Sequence, residues 1–337
     1  MIRSAIICLV LLAWLPVRAD NTNQPSAKAL LLDDKTVFTL TAGLQQYANP
    51  PRFAGKFTSI GSGGTTFLVN LWAAEFATLY PEVEMDIHGG GSVDALPAFL
   101  EGEVDLVPMS RPLPAEEAAR FKQKFGYEPS QIVVAQDAIG VYVNKNNPLT
   151  GLTLTQLDAI YSREAKRGGG RPEFWSDLGV TGPLADQLID RFNLSSAYGT
   201  HLYFRDYVMQ GSDYRFDVQF EPVPSSLVQA VGADDAGIGL ASVMFATART
   251  RFVPVQADDG RYLLPSYENT LSRRYPLVRP LRIIFNRKPD GTMNPAAREF
   301  LRFAVSRRGQ RIIGLAGCYP LTVEQQQAAL LAIGEAP

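Results

Sequence analysis

The chain is poor in the side chains that build metal sites and disulfides. Its 337 residues include two cysteines, Cys8 and Cys318, and two histidines, His88 and His201. A zinc site of Cys and His ligands is therefore almost excluded, and no cofactor or metal is expected. Charge of one sign is lacking as well: 32 basic residues face 34 acidic ones, for a net charge of −2. That balance argues against a nucleic-acid partner recognised by a basic surface. No apolar run reaches the 18 residues of a membrane-spanning helix. There is no phosphate loop ending in Gly-Lys-Ser/Thr, no dinucleotide fingerprint and no Gly-x-Ser-x-Gly. What is present is core material. Hydrophobic residues make up 46% and aromatics 10%, enough for one large core or two medium ones.

The first residues have the layout of an export signal. Arg3 is a positive start, Ala5 to Leu15 is an apolar stretch too short to span a bilayer, and Val17-Arg18-Ala19 ends in small residues. Cleavage is expected after Ala19, placing the mature protein in the periplasm or outside the cell. Cys8 leaves with this segment and is poorly placed to accept a lipid. The alternative is a buried N-terminal helix or strand, against which the polar stretch Asp20–Lys28 speaks. Cys318 then has no intrachain partner, so the exported protein relies on its core.

Strands and helices alternate after that. Val37–Leu40 is expected as a short strand and Pro50-Pro51 as a turn. Phe57–Ile60 reads as a strand ending at Gly61. Phe67, Leu68, Leu71, Trp72, Phe76 and Leu79 recur at helical spacing until Tyr80-Pro81. Val83–Ile87 and Val104–Val107 read as strands, and a short helix around Leu96–Leu100 stops at Gly102. Pro114–Phe125 is a helix with Glu116 and Glu117 early and Lys122 and Lys124 late, which suits the helix dipole. Ile132–Ala135 and Ile139–Val143 are expected as two strands and Leu154–Tyr161 as a helix. Lys166–Pro172 is a basic, Gly-rich loop, and 201–209 a helix. Val218–Val223, Ala236–Leu240 and Leu281–Phe285 read as strands, and Ala296–Val305 as a helix. Repeated βα units predict an α/β fold with largely parallel sheets, and the length favours two lobes.

Three strand-end loops of small or hydroxyl residues lead into helices: Gly61-Ser62-Gly63-Gly64-Thr65-Thr66, Gly89-Gly90-Gly91-Ser92, and Ser195-Ser196-Ala197-Tyr198-Gly199-Thr200. A helix start offers unpaired N–H groups and a partial positive charge, glycine lets a ligand approach the backbone, and a hydroxyl adds a donor. Any one such loop is more often a cap and a turn. Three of them point to an oxyanion held by converging helix ends. Asp105 stands in an apolar strand, where an acid is costly unless paired or bonded to a ligand proton. A helix cap or a partner for Arg111 is the plainer role. His88 reads as a strand end and His201 as site lining or surface. Trp175, in Phe174-Trp175-Ser176-Asp177-Leu178-Gly179, reads as packing.

Taken in order, GSGGTT with the following FLVNLWAAEFATLYPEVE, then HGGGS, EGEVDLVPMSRPL, DAIGVYVNKNNPLTGLTLTQLDAIYS, FWSDLG, GIGLASV and RGQRIIGLAGCYPL span most of residues 57–320. With these segments the chain resembles the PstS-like phosphate-binding proteins of ABC importers. The resemblance implies a periplasmic binding protein fold, an α/β architecture of two lobes with a hinge and a ligand cleft. Residues 1–19 are then signal peptide and 20–54 an N-terminal extension. Residues 55–138 with 250–330 form a discontinuous first lobe, and 139–249 the second. By motif, Ser62, Gly63, Gly64 and Thr65 form the first ligand loop and Ser92 is a hydroxyl donor. Asp105 accepts a phosphate proton, and Ser110 and Arg111 lie at the adjoining strand end.

The second lobe of the family offers Arg, three variable residues, then Ser-Gly-Thr. Here the stretch runs Leu194 to Thr200, keeping Gly199 and Thr200 but placing Leu194 where the arginine belongs and Tyr198 where the serine belongs. Arg111 and Arg205 are candidate replacements for the lost charge, with Arg191 a third if the alignment is offset. The resemblance implies a monomeric, non-enzymatic protein that captures phosphate or a related oxyanion and meets an ABC permease. A secreted or periplasmic regulatory protein with an altered ligand, and a hydrolase, are the alternatives. No nucleophile–base pair supports the hydrolase.

Overall fold

The structure is a computed structural model that describes residues 25–48, 52–89 and 91–335. The export signal and the Pro50-Pro51 turn lie outside the described residues. In chain order the elements are α1 (Asp34–Leu40), β1 (Gly55–Gly61), α2 (Gly63–Leu79), β2 (Val83–Gly89), α3 (Ser92–Glu101), β3 (Leu106–Met109), α4 (Ala115–Phe125), β4 (Ser130–Asn144), α5 (Leu154–Tyr161) and β5 (Asp190–Leu194). Then come α6 (Gly199–Tyr203, continued by a π turn over Phe204–Val208), β6 (Gln219–Glu221), α7 (Pro224–Ala233), β7 (Gly237–Ser242), β8 (Thr250–Phe252), β9 (Val255–Gln256) and β10 (Tyr262–Leu263). The chain ends with α8 (Tyr267–Leu271), β11 (Val278–Phe285), α9 (Pro295–Val305), α10 (Arg307–Leu315) and α11 (Val323–Ile333).

The main sheet runs β2-β1-β3-β11-β4-β7-β5-β6, with β8 also pairing β4. It is less parallel than the βα pattern predicts. The pairs β1–β2, β1–β3, β5–β6 and β5–β7 are parallel, whereas β11 and β4 form an antiparallel centre. β4 is one strand of 15 residues where two are expected. The polar pair Gln136-Asp137 interrupts the apolar pattern but not the ladder. Gln136 exchanges backbone bonds with Tyr319, and Asp137 is paired with Arg279. Up to Ala138, β4 pairs with β11; from Ile139 it pairs with β7. One strand thus joins two α/β halves.

The strand directions place the functional loops. β3 and β4 are both antiparallel to β11, so β3 points along β4 toward the second half. β1 and β2 follow β3 in direction. β7 runs opposite to β4, and β5 follows β7, so both point back toward the first half. The C-terminal ends of β1, β2, β3, β5 and β7 therefore converge on the middle of the molecule, where ligands bind in open α/β sheets.

Each half has its own core. Phe57, Trp72, Phe76, Ile283, Phe300 and Phe303 fill the first. Trp72 also donates its indole N–H to the Gly309 carbonyl at 2.9 Å. Val107, Met109, Phe99, Phe121 and Ile284 pack on the other face of that sheet. Tyr142, Tyr161, Trp175, Phe192, Leu194 and Phe204 fill the second half. Residues 250–277, expected with the first lobe, pack with this second core: β8 pairs with β4 at Tyr142–Asn144, and Phe252, Val255, Tyr275 and Leu277 are buried there. The crossing back occurs as β11 begins.

Val37–Leu40 is helix rather than strand. The Asp33 carboxylate accepts the Thr36 N–H at 2.7 Å and starts α1, and buried Val37 lies against Gly314 of α10. A cap and one tertiary contact override the local β-branched run.

Candidate functional site

α2 starts where β1 ends. Ser62 is its N-cap residue, and its own N–H is held by the Pro108 carbonyl at 2.8 Å. Gly61 is forced by that crossing, since a Cβ there would lie 2.2 Å from the same carbonyl oxygen. β3 carries its chain alongside, and Ser110 follows it. The Ser62 and Ser110 hydroxyls are 2.6 Å apart, and both side chains are buried. From the other half, the Gly199 N–H donates to the Ser62 hydroxyl at 3.3 Å. The first residue of α6 is thus in direct contact with the two hydroxyls of the first half. A Cβ at Gly199 would stand 2.1 Å from Ser110 Oγ and 3.2 Å from Ser62 Oγ. Only glycine allows this approach.

The neighbouring loops close around the same point. The Tyr198 ring lies over Gly63, where a Cβ would come within 2.8 Å of Cε1. Burial raises the Tyr198 phenol, so it stays neutral and able to donate. Gly91, with φ of +90°, faces Ala197, whose carbonyl oxygen would sit 3.2 Å from a Cβ. Ser92 is the first residue of α3; its side chain lies outside the described atoms. Thr65 and Thr66 are buried, with no partner for either hydroxyl among the described residues. Thr200 is buried beside Gly199. Gly64 has open space at its α-carbon, so packing does not require glycine there.

Arg111 is half-buried next to Ser110. Burial lowers its pKa, opposed by Asp206 and Glu117, while Arg205 pushes the same way as burial. Arg205 and Asp206, on the π turn after α6, are paired to each other at 2.8 Å. His201 donates its Nδ1–H to the Leu194 carbonyl at 2.9 Å, since a carbonyl oxygen only accepts. Burial lowers the His201 pKa.

Two residues singled out from the sequence lie elsewhere. Asp105 precedes β3, whereas Ser110 follows it, so a strand length separates them. Its carboxylate accepts the Thr58 N–H at 2.9 Å and the Asn294 amide at 3.0 Å, at the sheet end away from the converging loops. The acid in an apolar strand is satisfied by a strand N–H and an asparagine amide, rather than by the helix cap or the Arg111 pairing expected as its plainer role. Arg191 sits three residues before Leu194 at the entry of β5. Its guanidinium donates to the Ile160, Ile189 and Pro172 carbonyls and to Asp217. Leu194 itself is in the core. Among the described residues, no three His, Cys, Asp or Glu side chains gather as a metal site.

One cluster escaped the sequence reading. Asp137 and Arg279 form a fully buried ion pair at 2.9 Å, and the Ser242 hydroxyl donates to Asp137 at 2.6 Å. Burial pushes the Asp137 carboxyl up, opposed by Arg279 and Ser242. The signal was an acid between two apolar runs of what proved to be one strand.

Residues 50–308 match the model of the PBP superfamily domain. The chain is 34% identical over 300 residues to the phosphate-binding protein PstS of Pseudomonas aeruginosa, covering 88% of this chain and 93% of that protein. The chain belongs to the PBP superfamily, in the branch that holds the PstS proteins. The protein SphX of Synechococcus elongatus is 26% identical, over 81% of this chain and 79% of its own. Among solved structures, a possible phosphate binding protein from Planctomyces limnophilus superposes with a TM-score of 0.64 at 23% identity, covering 83% of this chain and 98% of that one. An ABC-type phosphate transport receptor from Vibrio cholerae gives 0.63 at 21%, covering 79% and 100%. These structural likenesses establish the two-lobed fold of periplasmic binding proteins.

Proposed function

We propose that the protein is the substrate-binding component of an ABC importer and that it captures inorganic phosphate, or a related oxyanion, between its two halves. The observation that carries this reading is the meeting of Ser62, Ser110 and the Gly199 N–H at the converging strand ends. An anion held there accepts from both hydroxyls and from the backbone of two helix starts. Thr65 brings a buried hydroxyl without a partner among the described residues, and Arg111 brings positive charge from the adjoining strand end. Tyr198 adds a phenolic donor in place of the family's serine. Gly63, Gly64 and Thr200 complete the loops, and Ser92 opens the third. The relatives named for phosphate binding support the choice of ligand.

Closing the halves around the anion removes it from water, and opening about β4 and the start of β11 releases it. The protein is read as a binder rather than an enzyme. Ser62 and Ser110 bond each other and Ser62 accepts from the Gly199 N–H, and among the described residues no histidine or carboxylate bonds either hydroxyl. Export to the periplasm or medium, with cleavage near Ala19, and a monomeric state in contact with a permease complete the reading. Calorimetric titration of dialysed protein with phosphate, arsenate, sulfate and molybdate tests it. One-site binding with phosphate or arsenate ahead is expected; no heat with any of the four would overturn it.

A further inference from the structure

A buried guanidinium on β11 is only partly used. Arg279 faces Asp137 with Nε at 3.0 Å and Nη2 at 2.9 Å, a side-on pairing that turns Nη1 away. Nη1 is buried and has no partner among the described residues, and Arg279 as a whole is only 3% exposed. A buried guanidinium N–H without an acceptor is costly, so such a group points to an acceptor that binds there.

Its place follows from the register. Met109, the residue before Ser110, pairs with Arg282 of β11, and Arg279 lies three residues further toward the second half, about 10 Å along the strand. On the other side, Ile139 pairs with Ser242, two residues beyond the Asp137–Arg279 pair. Arg279 thus stands between the end of β3 and the end of β7, on the floor of the cleft. Alternation puts its side chain on the face of Leu281, the face whose core includes Leu68, Val69 and Trp72 of α2. The first turn of α2 reaches over that floor, for Phe67 packs on Phe245, three residues past Ser242. α6 closes the other side, since the Tyr203 hydroxyl donates to the carbonyl of Val278, the residue before Arg279.

We propose that Arg279, fixed by Asp137, is a further anion-binding residue, and that its Nη1 supplies from the cleft floor the guanidinium contact that Leu194 cannot. This rests on the reading that an oxyanion binds between Ser62, Ser110 and Gly199. The arrangement differs from a flexible surface arginine. Asp137, itself bonded by the Ser242 hydroxyl, holds the guanidinium in one orientation, so little side-chain entropy is lost when the anion arrives.

The test compares phosphate titrations of the wild type, of Arg279→Lys, and of Arg279→Gln combined with Asp137→Asn. The double change keeps shape and removes both buried charges together. Melting temperature is measured in parallel, and affinities are read on folded protein. Both variants are expected to bind phosphate roughly tenfold to a hundredfold more weakly, as for loss of a charged hydrogen bond. Should the double variant fail to fold, Arg279→Lys alone decides. Affinity within twofold of wild type in either folded variant, even with a lowered melting temperature, assigns the pair to structure alone and overturns the proposal. Failure of the wild type to bind phosphate or any related oxyanion overturns the functional reading instead.

Discussion

The Gly199 amide reaches the Ser62 hydroxyl at 3.3 Å although the two residues belong to different halves of the molecule. The closeness depends on the missing side chain at 199, where a Cβ would stand 2.1 Å from Ser110 Oγ. Gly199→Ala is expected to hinder closure rather than folding of either half. Overpacking of this kind costs about 1–3 kcal/mol, which here falls on the approach of the two halves. Titration should show weaker phosphate binding with a nearly unchanged melting temperature of the free protein.

Ser62→Ala and Ser110→Ala each remove one hydroxyl from the contact. Each is expected to weaken anion binding by about 1.5–3 kcal/mol, the worth of a hydrogen bond to a charged group. Because the two hydroxyls bond each other at 2.6 Å, the double variant should show non-additive losses in a mutant cycle.

Asp105→Asn should act on stability and leave the anion preference alone. The carboxylate accepts from Thr58 and Asn294 with both oxygens, and an amide can satisfy one of them at best. A loss of about 1 kcal/mol in denaturant unfolding is expected, with phosphate and sulfate affinities as in the wild type. A changed phosphate-to-sulfate ratio would restore Asp105 to the site.

His201 gives a pH dependence with a definite sign. Burial holds its folded pKa below 6.5, with Leu194 and Asp206 opposing and Arg205 assisting; Tyr214 and Phe220 pack on the ring. As pH falls through 6.5 the unfolded chain takes up a proton that the folded one refuses, so stability falls until the folded pKa is reached. Thermal melts from pH 7.5 downward should show this slope, and His201→Asn should flatten it.

Much of this was legible in the sequence because local chemistry decided it. Gly102 and Gly126 end α3 and α4 in left-handed conformations, and the Ser62 loop opens α2 as its small residues require. What was hidden depended on partners far along the chain. Val37–Leu40 looked like a strand until the Asp33 cap and the Gly314 contact made it a helix. Asp105 and Arg191 looked like site residues, yet each is satisfied by groups its neighbours in sequence do not announce. Asp137 looked like a break between two strands because Arg279 lies 142 residues away.

A crystal structure of the protein grown with phosphate shows where the anion sits. An anion is expected with oxygens in hydrogen-bond reach of Ser62 Oγ, Ser110 Oγ and the Gly199 N–H, the two hydroxyls having parted to admit it. An anion bound instead beside Asp105, or a cleft still closed on the Ser62–Ser110 bond at saturating phosphate, would contradict it.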